Sequence, residues 1–272
     1  MKQVEGHLRI CLKADATLDS METVSPSEPL LSEAAYVIMS RKSFKPLEAF
    51  KSILEGFAIH QGDRGEFLAL LLLTLARDQA VGLPDKQGHP KCRFFRLSSF
   101  LNGNLFSTAS ADLTPKTRKA LNMLEQDFPN ATMHCNHFIK LHDFKSVNME
   151  SLLLLMTRGA GVMCANSQAS IDAANIFLLS GTKFHTTNAG TIAYQMKNNE
   201  DYTHKPKPKL FASMNPYDLN ILEPEDDAIP LIRIILPLLP RLQVFMSPGT
   251  PQRLPTVPSF MTFGVLAFPP NF

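Results

Sequence analysis

The chain carries almost no surplus charge of either sign. Its 27 Lys and Arg stand against 25 Asp and Glu over 272 residues, a net of +2. That balance excludes an overall electrostatic pull towards nucleic acid or anionic membrane, so any contact with a phosphate backbone must be a local patch. Cysteine is scarce. Cys11, Cys92, Cys135 and Cys164 lie far apart and none belongs to a CxxC pair, which excludes a disulfide framework and reads as buried thiols in a reducing compartment. Long apolar runs are missing as well. The two longest, Phe67–Ala76 and Ile229–Leu239, fall well short of the roughly 20 residues that a membrane-spanning helix needs, and the second is interrupted by Arg233 and Pro237. The opening MKQVEGHLRICLKAD is charged throughout and lacks an apolar stretch of signal-peptide length. Together these absences set the expectation of an intracellular protein of the nucleus or cytoplasm, not secreted and with no membrane partner. There is no GxxxxGK[ST] or GxGxxG loop to cradle a nucleotide, and no GxSxG elbow to present a nucleophile.

What is present is a globular composition, with 44% hydrophobic and 19% charged residues. This suffices to bury a core and is too apolar for global disorder. Residues 1–130 read as a mainly helical region. His7–Leu12 is strand-like and is followed by a polar Ser/Thr/Pro stretch; the abrupt start inside such an element suggests that an N-terminal portion is missing. Apolar positions at helical spacing predict helices over Leu31–Met39, Pro46–Phe57 and Asp63–Ala80, the last with Asp63 and Glu66 arranged as a capping box. Gly82, Pro84, Gly88 and Pro90 mark a loop, and Thr114-Pro115 opens a short amphipathic helix to about Gln126.

Residues 131–246 read as an α/β unit. Met133–Leu141 is a strand or the entry to a helix. Met149–Thr157 is an apolar helix stopped at Arg158-Gly159. Strands are expected at Gly161–Ala165, Ser170–Leu179, Gly190–Lys197 and Ile229–Leu236. Residues 247–272 form a proline-rich tail, and its prolines at 248, 251, 255, 258, 269 and 270 argue against regular structure.

One constellation in this unit has chemical content. Asp172 falls on one predicted strand, and Gln195 and Lys197 fall two apart on the next, which puts the latter two on one face of the pleat. Hydrolysis of a phosphodiester with the help of Mg²⁺ needs hard oxygen ligands and a cation beside the attacking water. An acid, an amide oxygen and a lysine meet that need. Polar residues scattered over a surface are the alternative reading of the same three positions.

On these residues the segment resembles the PD-(D/E)XK nuclease superfamily, whose core is a helix, three antiparallel strands, a helix and a strand. Ile171 stands where that signature has proline, and Gln195 where most members have an acid, a variant known from Mrr-like restriction enzymes. The resemblance implies Asp172 and Gln195 as Mg²⁺ ligands, Lys197 as the residue that orients or activates water, Glu150 or Gln168 as accessory residues, and DNA as partner. The fold it implies is α/β (α+β), a helical N-terminal half with a C-terminal restriction-endonuclease-like mixed sheet flanked by helices. A catalytically inactive nuclease-like module, or an interaction protein without catalysis, is the alternative function.

The chain also resembles a family of proteins from mushroom-forming fungi. The residues that carry the likeness are Asp63-Arg-Gly-Glu66, Leu71 to Asp78, Asn136 to Lys140, Arg158-Gly-Ala160, Cys164 to Gln168 with Asp172, and Gln195 to Asn198. That likeness implies no activity.

Three further features read more simply as structure. His134, Cys135, His137 and His142 are crowded together, but no second ligand pair at finger spacing accompanies them. His204 to Lys209 is a basic extended run that reads as a solvated loop or a grip on a phosphate backbone. Glu66 has its capping role.

Overall fold

A computed structural model describes residues 10–14, 21–24, 28–45, 48–49, 61–83, 94–102, 115–141, 143, 147–164, 170–197, 208–222, 229–237 and 261–262. The predicted helix at 46–57, apart from 48–49, lies outside them, as do Gln168, His142 and the basic run at 204–207.

Strands β1 (Ile10–Ala14) and β2 (Met21–Val24) form an antiparallel ladder of their own. Helices α1 (Glu28–Met39) and α2 (Gln61–Val81) follow. Along α2 the buried residues Ala69, Leu73 and Ala76 recur at i, i+4 and i+7, which turns one stripe to the core. The helix stops at Gly82, whose φ of +83° is the left-handed conformation that glycine adopts without a Cβ penalty. Its start corrects the capping-box expectation. Helical geometry begins at Gln61, so Asp63 lies inside the first turn and Glu66 beyond the capping position.

The remaining strands build one mixed, eight-stranded sheet. The short strand β3 (Phe95–Arg96) leads directly into helix α3 (Leu97–Phe100), and helix α4 spans Pro115–Asp127. The expected single element at 133–141 is two strands, β4 (Thr132–Met133) and β5 (His137–Lys140). Next come helix α5 (Met149–Thr157) and strands β6 (Ala160–Met163), β7 (Ala173–Leu178) and β8 (Ala189–Lys197). Helix α6 (Pro208–Ser213), β9 (Leu231–Pro237) and β10 (Met261–Thr262) complete the set. The last strand corrects the reading of the tail as irregular throughout: Met261 and Thr262 pair in parallel with Ile232 and Arg233 of β9, at two positions that are not proline.

In the sheet, β7 is antiparallel to β8, while β8 and β9 run parallel. The other edge of β7 is shared, with β6 paired along its start and β4 along its end. Strand β5 lies parallel to β6 outside this path.

Side chains alternate strictly about the sheet and fill two cores. On one face Ala173, Phe177, Ile192, Tyr194, Ile232 and Ile234 pack with Tyr36, Leu73, Leu97, Leu121 and Leu124 of the preceding helices. On the other, Ala174, Ile176, Ala193 and Ile235 pack with Leu152 and Met156 of α5 and Phe211 of α6. The N-terminal helices therefore share a core with the C-terminal sheet. Helix α5 follows the sequence expectation residue for residue. Asn148 caps it by accepting from Ser151 N–H at 2.9 Å, its buried residues Met149, Leu152, Leu153 and Met156 sit at i, i+3, i+4 and i+7, and Gly159 at φ +72° ends it.

Candidate functional site at the ends of four strands

Strands β5, β6 and β8 run in one direction and β7 in the other. The last residues of β5, β6 and β8 and the first of β7 consequently gather at one edge of the sheet. Backbone hydrogen bonds tie this edge together. Leu141 N–H donates to Met163 O at 2.9 Å, Cys164 N–H to Asp172 O at 2.9 Å, and Asp172 N–H to Tyr194 O at 2.8 Å.

The β7–β8 register pairs Ala173 with Tyr194 and Ala174 with Ala193. Just beyond the ladder Asp172 is hydrogen-bonded to the residues on either side of Gln195, its N–H donating to Tyr194 O and its Oδ2 accepting from Met196 N–H. Alternation along β8 puts Gln195 and Lys197 on the face that carries Ala193. The structure thus brings the three sequence-selected residues to one end of two neighbouring strands.

Their environments differ. Gln195 is 5% exposed, and its Oε1 is buried with no hydrogen-bond partner among the described residues. That position is inconsistent with an exposed surface glutamine, and a buried carbonyl oxygen without a donor costs on the order of 1–3 kcal/mol unless something binds it. Asp172 is half-buried, and its Oδ2 accepts from Met196 N–H at 2.5 Å. Burial pushes its carboxyl pKa up, while the Met196 hydrogen bond and the ammonium groups of Lys197 and Lys140 pull it down. Lys197 and Lys140 therefore both lie within electrostatic reach of Asp172.

Two further residues lie at this edge, Glu66, which the sequence reading set aside as a helix cap, and Lys140, to which it gave no role. Glu66, on α2, brings Oε2 to 3.8 Å from Nζ of Lys140 at the end of β5. Both also act on the Cys164 thiol, which burial, the leading cause, pushes up to about 12 together with the nearby Asp172 and Glu66 carboxylates. The only local signal for Glu66 is its place in a helix, and that pattern reads as a cap; its partner lies on a different element. Of the accessory residues, Glu150 is exposed in the first turn of α5, and Gln168 lies outside the described residues.

Asp172 and Gln195 suit a hard divalent cation in the manner of Mg²⁺, which is held through one or two carboxylates and keeps several waters. The orphaned Gln195 oxygen, one residue before the backbone N–H that binds the Asp172 carboxyl, is the observation that fits such an ion. Among the described residues no group of three or more His, Cys, Asp or Glu could hold a metal by itself. Of the crowded histidines and cysteine, the described His134, Cys135 and His137 are engaged elsewhere. His134 Nδ1 lies 2.9 Å from Met156 O, Asn175 Nδ2 donates to Cys135 Sγ at 3.1 Å, and His137 Nδ1 lies 2.6 Å from Asn136 Oδ1. Among the described residues no helix is long and apolar enough to cross a membrane.

A family model described as a domain of unknown function (DUF8736) matches residues 2–220, a span that includes Glu66, Lys140, Asp172, Gln195 and Lys197 and stops before β9. Neither a curated protein nor a solved structure matches the chain.

Proposed function

We propose that this chain, which belongs to the DUF8736 family, is a divalent-metal-dependent hydrolase of DNA phosphodiesters with a PD-(D/E)XK-like core. The observation that carries the reading is the junction of β7 and β8, where Asp172 is hydrogen-bonded to Tyr194 and Met196 on either side of Gln195, the buried Gln195 oxygen has no partner among the described residues, and Lys197 follows Gln195 on the same face of β8. The order α5, β6, β7, β8, α6, β9 supports it. This is a helix, three antiparallel strands, a helix and a further strand, with the last strand parallel to its neighbour.

In this reading Asp172 and Gln195 hold Mg²⁺, which supplies Lewis acidity at a non-bridging phosphate oxygen and lowers the pKa of bound water. Asp172 contributes the charge. Its second constraint, the hydrogen bond from Met196 N–H, fixes the carboxylate's orientation and leaves Oδ1 for the ion. Gln195 contributes a neutral oxygen whose burial holds it in place. Lys197 stands two residues after Gln195 on the same face of β8, where its ammonium orients the attacking water by hydrogen bonding and balances charge developing on the phosphorane oxygens.

Purified protein with supercoiled plasmid and Mg²⁺ or Mn²⁺ tests the reading. The wild type nicks or linearises the plasmid, EDTA stops it, and Lys197→Ala and Asp172→Asn each lower the rate by about 100-fold or more, the scale expected when an electrostatic stabiliser of the transition state is removed. Cutting that survives both substitutions contradicts it.

One observation favours a second reading, a nuclease-like module that binds DNA without cutting it. Among the described residues Asp172 belongs to no group of three or more His, Cys, Asp or Glu that could hold a metal ion. Metal-independent DNA binding with no cutting by the wild type selects this alternative.

A further inference from the structure

The strand-end edge holds a second ammonium group that the proposed reaction does not use. Lys140 closes β5, its register partner is Met163, and the next residue, Leu141, is hydrogen-bonded to Met163 O. It is on the opposite face from Gln195 and Lys197, since Phe138, two positions earlier, packs against the core on the α2 side. Lys197 on β8 and Lys140 on β5 both act on the charge of Asp172.

We propose that Lys140, positioned by Glu66, is a second phosphate-binding cation of this site and grips the DNA backbone beside the phosphate that Lys197 faces. The inference rests on the proposed function for its substrate class, and it adds a residue that lies outside the six-element core.

Three features lead to it. The Lys140–Glu66 separation of 3.8 Å is longer than a hydrogen bond, so the carboxylate attracts the ammonium without consuming its donors, and a phosphate oxygen can take them. Both side chains are about one-third exposed, at 34% and 31%, so the pair is accessible from solvent. An ion pair this exposed contributes little to stability, which leaves its place at the strand ends without a structural account. The charge balance completes the argument. Asp172 and Glu66 offset Lys140 and Lys197, so the edge is neutral until a divalent cation arrives and then carries a net positive charge suited to a phosphodiester strand. Removing Lys140 would leave two carboxylates facing a polyanion with one lysine.

Anisotropy of a fluorescein-labelled DNA duplex in Ca²⁺, measured from 50 to 200 mM salt, tests the proposal. Lys140→Gln is expected to weaken binding about fivefold or more and to lower the salt slope by about one, the signature of one lost phosphate contact. Lys140→Arg is expected to restore both. In the plasmid assay Lys140→Gln raises KM more than it lowers kcat. Circular dichroism melts of the two variants check folding, and the charge-preserving variant keeps the test valid if Lys140→Gln melts early. Wild-type affinity and slope in Lys140→Gln overturn the inference and leave the hydrolase reading standing. Wild-type protein that binds DNA through Lys140 but does not cut upholds the inference and removes the hydrolase. A wild type that neither binds nor cuts removes both.

Discussion

Met196 N–H donates to Asp172 Oδ2 at 2.5 Å, so the carboxylate at the head of β7 is tied to the backbone of β8 while burial opposes its ionisation. A carboxyl whose ionisation is opposed by burial is a common feature of working sites, where stability is given up for chemistry.

The consequence for stability has a definite sign. Because the folded-state pKa of Asp172 lies above its ordinary value of 3.8, the folded protein binds this proton more tightly than the unfolded chain does. Below that ordinary value both states are protonated and ionisation costs nothing. As pH rises through the raised folded pKa, stability is lost. Asp172→Asn keeps an acceptor for Met196 and removes the charge. Thermal unfolding followed by circular dichroism is expected to show a higher Tm than wild type at pH 7 and a difference that shrinks towards pH 3. A lower Tm at pH 7 would mark Asp172 as a structural residue.

Away from the site, Arg77 Nη2 meets Glu33 Oε1 at 2.6 Å, with the two side chains 4% and 11% exposed. Arg77 also lies 3.0 Å from Asp78 Oδ1 and stacks over the Tyr36 ring at 5.1 Å, while Asn136 Nδ2 donates to Glu33 Oε1 at 2.8 Å. Removing one member of a buried pair strands the other. Arg77→Met is expected to cost about 3–5 kcal/mol in urea unfolding. Arg77→Met with Glu33→Met is expected to cost less than the single change, because the stranded Glu33 carboxylate is gone, although Asp78 still lacks its cation.

Gly190 of β8 pairs with Phe177 of β7, and a Cβ built on it would meet Phe177 Cζ at 2.3 Å. The ring is fully buried and has no room to swing away. Gly190→Ala is expected to destabilise by roughly 1–3 kcal/mol in the same assay, and Gly190→Ala with Phe177→Leu to recover part of it.

How much of this was legible in the chain depended on the range of the interactions. Helix α5 was readable to the residue because its apolar spacing and its glycine stop are written within about three turns. β7 and β8 were readable as apolar runs, and the two-residue offset between Gln195 and Lys197 fixed their shared face before any pairing was known. The registry of the two strands was not readable, since nothing local says that Asp172 rather than Ser170 is tied to Tyr194 and Met196 of β8. The burial of Gln195 was hidden for the same reason: it comes from the helices that pack over the sheet. Arg77 and Glu33 are 44 residues apart, and Glu66 and Lys140 lie on separate elements, so neither pair leaves a local pattern. Glu66 was misread because a capping box and a helix interior share residue types, and only the actual start at Gln61 tells them apart. The strand at Met261–Thr262 was hidden by the prolines around it, which deny long ladders and permit a short one at an edge.

The central claim is that Asp172 and Gln195 together hold one divalent cation. Titration of Mn²⁺ into the protein, with free Mn²⁺ followed by electron paramagnetic resonance, measures this without requiring turnover. The account predicts one bound Mn²⁺ per chain, affinity reduced about tenfold or more by Asp172→Asn and by Gln195→Leu, and competition by Mg²⁺. No saturable binding up to millimolar Mn²⁺, or binding that both substitutions leave unchanged, would contradict it.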